Sequence, residues 1–280
     1  MKRAPKILIA DGNTKDRNDA MQAVGGELGA ERYANEIRRM FPKAEMVTIY
    51  PGDSDAYLPK GTALSDFDGM VMGGSGLHAF DQAPEVTRQV DLMRSALDAG
   101  MPVLGSCWGL QVAAAATGGC VAQSPRGREV GIARKVALTA AGIGHALFED
   151  KPAVFDSPCI HYDEVTHLPA GAVVLAQNAH SAVQAAVIRR GAGVFWGVQY
   201  HPEFDLPHLA NLYRRYADDM LSQGYFIDKD ALETYANELS ALHQDPSRLD
   251  LRWRLGIDDD VLDPDLRCRE IRNWVNSLNG

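Results

Sequence analysis

At 280 residues the chain is long enough for one α/β domain with a sizeable core and an appendage beside it, and two full domains are not expected. Its 46% hydrophobic and 23% charged residues, free of Gly/Ser, Gln/Asn or Pro tracts, exclude an intrinsically disordered chain. A formal charge of -9 without clustered Lys and Arg argues against a nucleic-acid or anionic-membrane surface and leaves free small molecules as the expected ligands.

The opening MKRAPKILIADGN has only a short apolar run before Asp11 and lacks the h-region and small-residue cleavage site of a signal peptide. No run approaches the roughly 20 apolar residues that cross a bilayer, so a soluble, cytoplasmic protein is expected. Lys6 to Ala10 reads as a buried strand ended by the turn formers Asp11, Gly12 and Asn13, with a loop rich in Gly and charge as far as Gly29. Residues 30–41 have helical composition with Tyr33, Ile37 and Met40 on one face, and Pro42 closes the helix. Strands follow at 46–50 and 67–72, the latter running into Gly73, Gly74, Ser75 and Gly76. Val86, Val90, Met93 and Leu97 mark the next helix, which stops at Gly100. A short strand at Val103 and Leu104 then enters GSCWG, and a helix covers 110–116.

Strands alternating with helices through short connections imply a mostly parallel sheet with helices on both faces. After Gly119 the pattern turns β-rich, with pieces at 133–138, 173–176, 183–187 and 194–198, the last closed by His201, Pro202 and Glu203. A helix is predicted over 207–220 with Leu209, Tyr213, Tyr216 and Met220 inward, so the sheet domain spans 1–224. Residues 225–280 read as a helical extension: Asp230 and Glu233 can form a capping box ahead of Leu232, Tyr235, Leu239 and Leu242. Asp263 and Pro264 can start another helix, bearing Leu266, Ile271, Trp274 and Leu278. Trp253 and Trp274 read as core.

The four cysteines, Cys107, Cys120, Cys159 and Cys268, are far apart and form no C-x-x-C pair, which fits neither a zinc site nor a disulfide framework. Three read as small buried apolar residues. Cys107 differs, because it sits between glycines at a strand-to-helix turn, the arrangement of a nucleophile elbow. There the thiol would face unpaired N–H groups and the positive end of a helix dipole, which favour thiolate.

His201 and Glu203 lie two apart, so in an extended segment both would point to one side, with Glu203 fixing the tautomer of His201. His201 would serve as base for the thiol and acid for the departing amine. The backbone amides of Gly74 and Trp108 could converge on the oxyanion of a tetrahedral intermediate. The glycine run lacks the Gly-x-Gly-x-x-Gly order of a dinucleotide site. His161 and His180 read as structural histidines.

These residues resemble the class I glutamine amidotransferases. GSCWGLQ at 105–111 matches the elbow Gly-x-Cys-x-Gly-x-Gln, and QYHPEF at 199–204 matches Gln-x-His-Pro-Glu-Phe. MGGSG at 72–76 is similar to the oxyanion strand, REVG at 128–131 to the REIG-type segment, and HYDEVTHLP at 161–169 to HGDEV-x-x-LP. The last two resemble the GMP-synthetase-like glutaminase branch, and together the motifs span roughly residues 5–220. The resemblance implies a flavodoxin-like sheet, a triad of Cys107, His201 and Glu203, and oxyanion donors at Gly74 and Trp108. It also implies that Gln111 contacts bound glutamine and that backbone near Tyr162 and Asp163 holds its amino-acid end. Tyr162 stands where the branch usually has Gly, and a ring there can reshape the pocket.

The chain therefore reads as a cysteine-dependent amidohydrolase that forms a γ-glutamyl thioester, with no metal or organic cofactor implied. Two outcomes remain open: a glutaminase passing ammonia to a partner synthetase, since no Walker motif is present, or a hydrolase of γ-glutamyl amides and peptides. A non-catalytic regulatory relative and a thiol redox sensor at Cys107 are the readings from other classes. The extension would shape the entrance to the pocket or form an interface in a homo-oligomer.

Overall fold

The computed structural model describes residues 3–55 and 57–278. Its strands are β1 (Lys6–Ala10), β2 (Glu45–Ile49), β3 (Gly69–Met72), β4 (Pro102–Ser106), β5 (Cys120–Gln123), β6 (Glu129–Leu138), β7 (Val154–His161), β8 (Asp163–His167), β9 (Val173–Gln177), β10 (Ala185–Arg190) and β11 (Gly193–Val198). Nine form one sheet in the order β2-β1-β3-β4-β11-β10-β9-β6-β7, while β5 and β8 make a separate antiparallel pair. From β2 to β11 every pairing is parallel. Beyond β11 the sheet continues antiparallel, built from the β-rich stretch after Gly119.

The helices are α1 (Lys15–Ala23), α2 (Gly29–Met40), α3 (Pro84–Asp98), α4 (Trp108–Ala116), α5 (Leu206–Arg215), α6 (Ala217–Ser222), α7 (Lys229–Gln244), α8 (Leu249–Leu255), α9 (Asp259–Leu262), α10 (Pro264–Arg267) and α11 (Arg269–Ser277). Alternation along the buried strands sorts side chains between the two faces of the sheet. Leu8, Met70 and Val103 point to the face covered by α3 and α4, whose Val86, Met93 and Leu110 pack there. Ile7, Val71 and Leu104 point to the other, where Tyr33 and Ile37 of α2 meet Ile271 and Trp274 of α11. A third cluster joins α5 through Leu209 and Tyr213 to Leu232 and Leu239 of α7 and Leu251 of α8.

Several expectations require correction. The stretch from Asp11 to Gly29 contains the helix α1, which buries only Asn18 and Met21 and so has no apolar stripe to reveal it. It is anchored by polar contacts instead: Asp53 accepts from the Lys15 N–H (2.9 Å), and Asp11 accepts from Asn18 Nδ2 (3.3 Å). The helix expected over 207–220 breaks at Tyr216, which divides α5 from α6. Helix α7 is capped by Asp228, whose side chain accepts from the Ala231 N–H (2.8 Å); Asp230 lies inside its first turn, and Glu233 pairs with Arg214 (3.0 Å). Trp253 is 80% exposed, so it is not core, and Cys120 is exposed on the small sheet.

The last helix lies against the central sheet, with Trp274 1% exposed inside the cluster that holds Ile7 and Val71. Trp274→Ala is therefore expected to cost about 3–5 kcal/mol, the usual toll of truncating a buried aromatic. Urea unfolding would show this as a lower midpoint in a single transition. An unchanged midpoint would mean that α11 does not fold with the sheet.

Candidate active site

The parallel strands deliver their C-terminal ends to one crevice, where the chain order reverses between β1 and β3. Asp11 follows β1 and is 1% exposed. Its carboxylate accepts from Asn13 N (2.9 Å) and from Ala30 N at the start of α2 (3.1 Å), so one side chain ties together both ends of the stretch that holds α1. Burial raises the pKa of Asp11 against these donors. Asn13 Oδ1 in turn accepts from Gly76 N (3.2 Å) and so fixes the loop after β3.

Cys107 follows β4 with φ 51° and ψ -98°, a left-handed conformation that a side-chain-bearing residue adopts only when its surroundings enforce it. Its N–H is held by Val198 O (2.8 Å), and α4 begins at the next residue. A Cβ on Gly109 would overlap the Met72 carbonyl, so the elbow closes against β3 only with glycine there. The Trp108 N–H belongs to the first turn of α4, whose amides have no acceptor within the helix. The Trp108 indole is buried and donates to Gln89 Oε1 (2.7 Å).

His201 and Glu203 are each 1% exposed. They lie in a turn beyond β11, not in the strand itself, since Phe204 N reaches back to His201 O (3.2 Å). Pro202 and this turn, in place of strand alternation, bring the two side chains together: His201 Nδ1 meets Glu203 Oε1 at 2.7 Å. Ser106 Oγ donates to the same oxygen (2.9 Å). The Tyr33 phenol lies against that carboxylate, and burial followed by the carboxylate's charge lifts its pKa well above the usual range. With Nδ1 engaged, Nε2 is the ring nitrogen left for Cys107. Burial disfavours the His201 cation, but the Glu203 carboxylate and the neighbouring Cys107 outweigh it and raise the pKa to about 10. Cys107 Sγ also lies 3.6 Å from Ile160 O.

One cavity of about 350 Å³ is lined by Gly74, Cys107, Gln111, Tyr162, Asp163 and His201 among others. At Gly74 a Cβ would sit 2.5 Å from His201 Cε1, so the bare backbone is what lets the imidazole approach the loop. Gln111 Nε2 donates to Asp163 O (2.9 Å), and Asp163 Oδ2 meets His78 Nδ1 (2.7 Å). Among the described residues no three His, Cys, Asp or Glu side chains come together as a metal site, and no helix is long and apolar enough to cross a membrane.

The geometry adds residues that motif reading passed over. Ser106 was visible beside the elbow cysteine, but its contact with Glu203, 97 positions away, was not. Arg32 Nη2 donates to Glu203 O (3.2 Å) and pairs with Asp205 (2.7 Å), which caps α5 through His208 N. Arg267 Nε (3.1 Å) and Cys268 Sγ (3.0 Å) both donate to Pro202 O. His161, which also lines this cavity, has both ring nitrogens engaged, with Glu129 Oε2 (2.8 Å) and Asp163 O (3.0 Å), and His180 lies edge-on to its ring.

The glutamine amidotransferase class-I family model matches residues 31–213, and the chain belongs to this family. It is 31% identical over 278 residues to the gamma-glutamyl-L-1-hydroxyisopropylamide hydrolase of a Pseudomonas species, covering 98% of this chain and 92% of that protein. It is 29% identical over 162 residues to a glutamine-hydrolyzing GMP synthase component of Methanocaldococcus jannaschii, covering 55% of this chain and 77% of that one. A glutamine amidotransferase structure from Thermotoga maritima superposes with a TM-score of 0.67 at 18% identity, covering 98% of this chain and 99% of that one, and so shares the fold.

Two buried histidines give stability opposite pH arms. His201 titrates near 10 in the fold against an ordinary 6.5, so the stability it contributes is complete below about 6.5 and is lost as pH rises through 10. Burial, then the nearby Arg32 charge, lowers His208 to about 3, so its stability is complete above about 6.5 and is lost as pH falls towards 3. Urea unfolding across pH is expected to show a flatter alkaline arm for His201→Asn and a flatter acid arm for His208→Asn than for the wild type. Parallel profiles would contradict both assignments.

Proposed function

We propose that this chain hydrolyses the γ-amide bond of a γ-glutamyl compound through a thioester on Cys107, with His201 and Glu203 completing the triad. The observation that carries the reading is the convergence of a thiol on a strained elbow, an imidazole paired to a buried carboxylate at 2.7 Å, and a glycine loop on one cavity. In this route His201 Nε2 already holds the proton taken from the thiol, as its raised pKa favours, when Sγ attacks the γ-carbonyl carbon. The carbonyl electrons move to oxygen, where the N–H groups of Gly74 and Trp108 receive the charge. The C–N bond then breaks as His201 gives its proton to the departing amine. Water attacks the thioester while His201 takes up its proton, and collapse releases glutamate and restores the thiol. Glu203 holds the imidazole through Nδ1. Gln111 and the backbone at Tyr162 and Asp163 hold the amino-acid end.

The product side has two readings. A free hydrolase of γ-glutamyl amides is favoured by the relative that matches from end to end, the extension included, because it acts on such an amide by name. A glutaminase supplying ammonia to a separate synthetase is supported by the GMP synthase relative, whose match covers 55% of this chain. We assign residues 1–224 to the chemistry. The described part of the extension, residues 225–278, braces it through Arg267 and Cys268.

The purified chain, assayed alone on glutamine, γ-glutamyl alkylamides and γ-glutamyl peptides, is expected to turn over a γ-glutamyl amide without a partner. Turnover that appears only when a synthetase is added would favour the ammonia-transfer reading. Cys107→Ala and His201→Ala should each lower kcat by roughly a thousandfold or more, and Glu203→Gln should lose roughly tenfold less than His201→Ala. An electrophilic glutamine analogue should label Cys107, and preferential labelling of Cys120, Cys159 or Cys268 would sink the mechanism.

A further inference from the structure

The cavity continues beyond the candidate triad along one helix. Phe204 stacks flat on His201, with ring centroids 3.9 Å apart and planes 4° from parallel, and His208 follows Phe204 at 4.2 Å. Leu212, Arg215 and Tyr216 then line the same cavity as α5 proceeds, facing Arg17 and Met21 of α1. A substituent on a nitrogen that takes its proton from His201 can lie along this row, while in the proposed route Gln111 and the backbone at Tyr162 and Asp163 hold the glutamyl end.

The far end of the row is cationic, in a protein whose formal charge is -9. Three guanidinium groups gather around Tyr216. Arg128 lies 5.3 Å from its ring centroid and Arg215 lies 5.0 Å away. Arg17 Nη1 and the Tyr216 hydroxyl both lie over Gly76, at 2.5 and 3.1 Å from where a Cβ would stand. Arg128 is balanced by Asp219 (3.1 Å). The other carboxylates on the cavity wall are engaged elsewhere, Glu27 with Arg32 (3.1 Å) and Asp163 with His78 (2.7 Å). Among the described residues neither Arg17 nor Arg215 makes an ion pair, although both are half-buried on the wall of the cavity that holds the candidate nucleophile. Two half-buried guanidinium groups facing one cavity suit a planar anion, which they can bind by charge-assisted hydrogen bonds.

We propose that Arg17 and Arg215, grouped around Tyr216, form an anion subsite for the leaving amine, so that the preferred substrates are γ-glutamyl amino acids whose own carboxylate sits there. This rests on the γ-glutamyl hydrolase reading and narrows it to acidic leaving groups. Helix α1, which supplies Arg17, thereby becomes part of the substrate site.

The test compares kcat/KM for γ-glutamylglycine and γ-glutamylethylamide, which differ in the carboxylate on the leaving amine. The wild type should favour γ-glutamylglycine by about tenfold or more, as a charge-assisted contact would give. Arg17→Gln and Arg215→Gln should each reduce that ratio, and the double substitution should bring it close to one. Added salt should lower the wild-type ratio without any substitution, which keeps the test open if the variants fold poorly. A ratio that stays the same because both substrates suffer equally would overturn the proposal, since the arginines would then serve the glutamyl half or the fold. A wild type that cleaves neither compound would refute the hydrolase reading instead. Calorimetric titration of the Cys107→Ala protein with both compounds then decides the subsite alone: tighter binding of γ-glutamylglycine, lost in Arg17→Gln and Arg215→Gln, supports it, and equal binding overturns it.

Discussion

A carboxylate taken almost wholly out of water is the constraint around which this molecule is arranged. Glu203 is 1% exposed, and an ion so placed is costly unless its charge is met nearby. His201 meets it at 2.7 Å and Ser106 at 2.9 Å, both on Oε1. The charge that Glu203 retains is what lets an equally buried imidazole carry a proton, with its pKa lifted to about 10 in spite of burial. A histidine in the same apolar setting without such a partner behaves in the opposite way, as His208 illustrates at about 3. The two rings are separated by Phe204 alone; at His201 the Glu203 carboxylate overrides burial, while at His208 burial and the Arg32 charge prevail.

The sheet supplies the second half of the arrangement. β4 lies between β3 and β11, so three adjacent parallel strands present the glycine loop, the elbow and the histidine turn at neighbouring ends. The elbow needs its left-handed cysteine, and that local cost is offset by a helix starting at once after it and by β3 packing tightly on Gly109. Gly74 plays the matching part on the other side, since any side chain there would displace the imidazole.

The C-terminal extension bears on the same turn. Arg267 and Cys268 hold the carbonyl of Pro202, and Tyr200 donates to Glu270 (2.6 Å), which is itself paired with the buried Lys151 (2.8 Å). The turn that bears His201 and Glu203 is thus gripped by α10, α11 and the residue joining them. Arg32 holds it from α2. A side chain proposed to act as both base and acid gains from such bracing, because small displacements of catalytic groups lower rates steeply.

Much of this was legible in the sequence because the signals were local. The buried strand at residues 6–10, the apolar stripes of α3 and α7, and the glycine-bracketed Cys107 all announce themselves within a few residues. The ordered motifs located the family and the candidate triad. Helix α1 stayed hidden because it is anchored by Asp11 and Asp53 and buries little apolar surface, so no periodicity marks it. Trp253 misled for the converse reason, since hydrophobicity favours burial without enforcing it. The reach of Ser106 to Glu203, the hold of Arg267 on Pro202 and the gathering of three arginines at Tyr216 join positions far apart along the chain. The sequence by itself determined which groups could do chemistry, because residue type and local backbone are written in neighbouring positions. Only the tertiary structure decided which distant groups share one desolvated space, because that depends on how the sheet and its covering helices close around them.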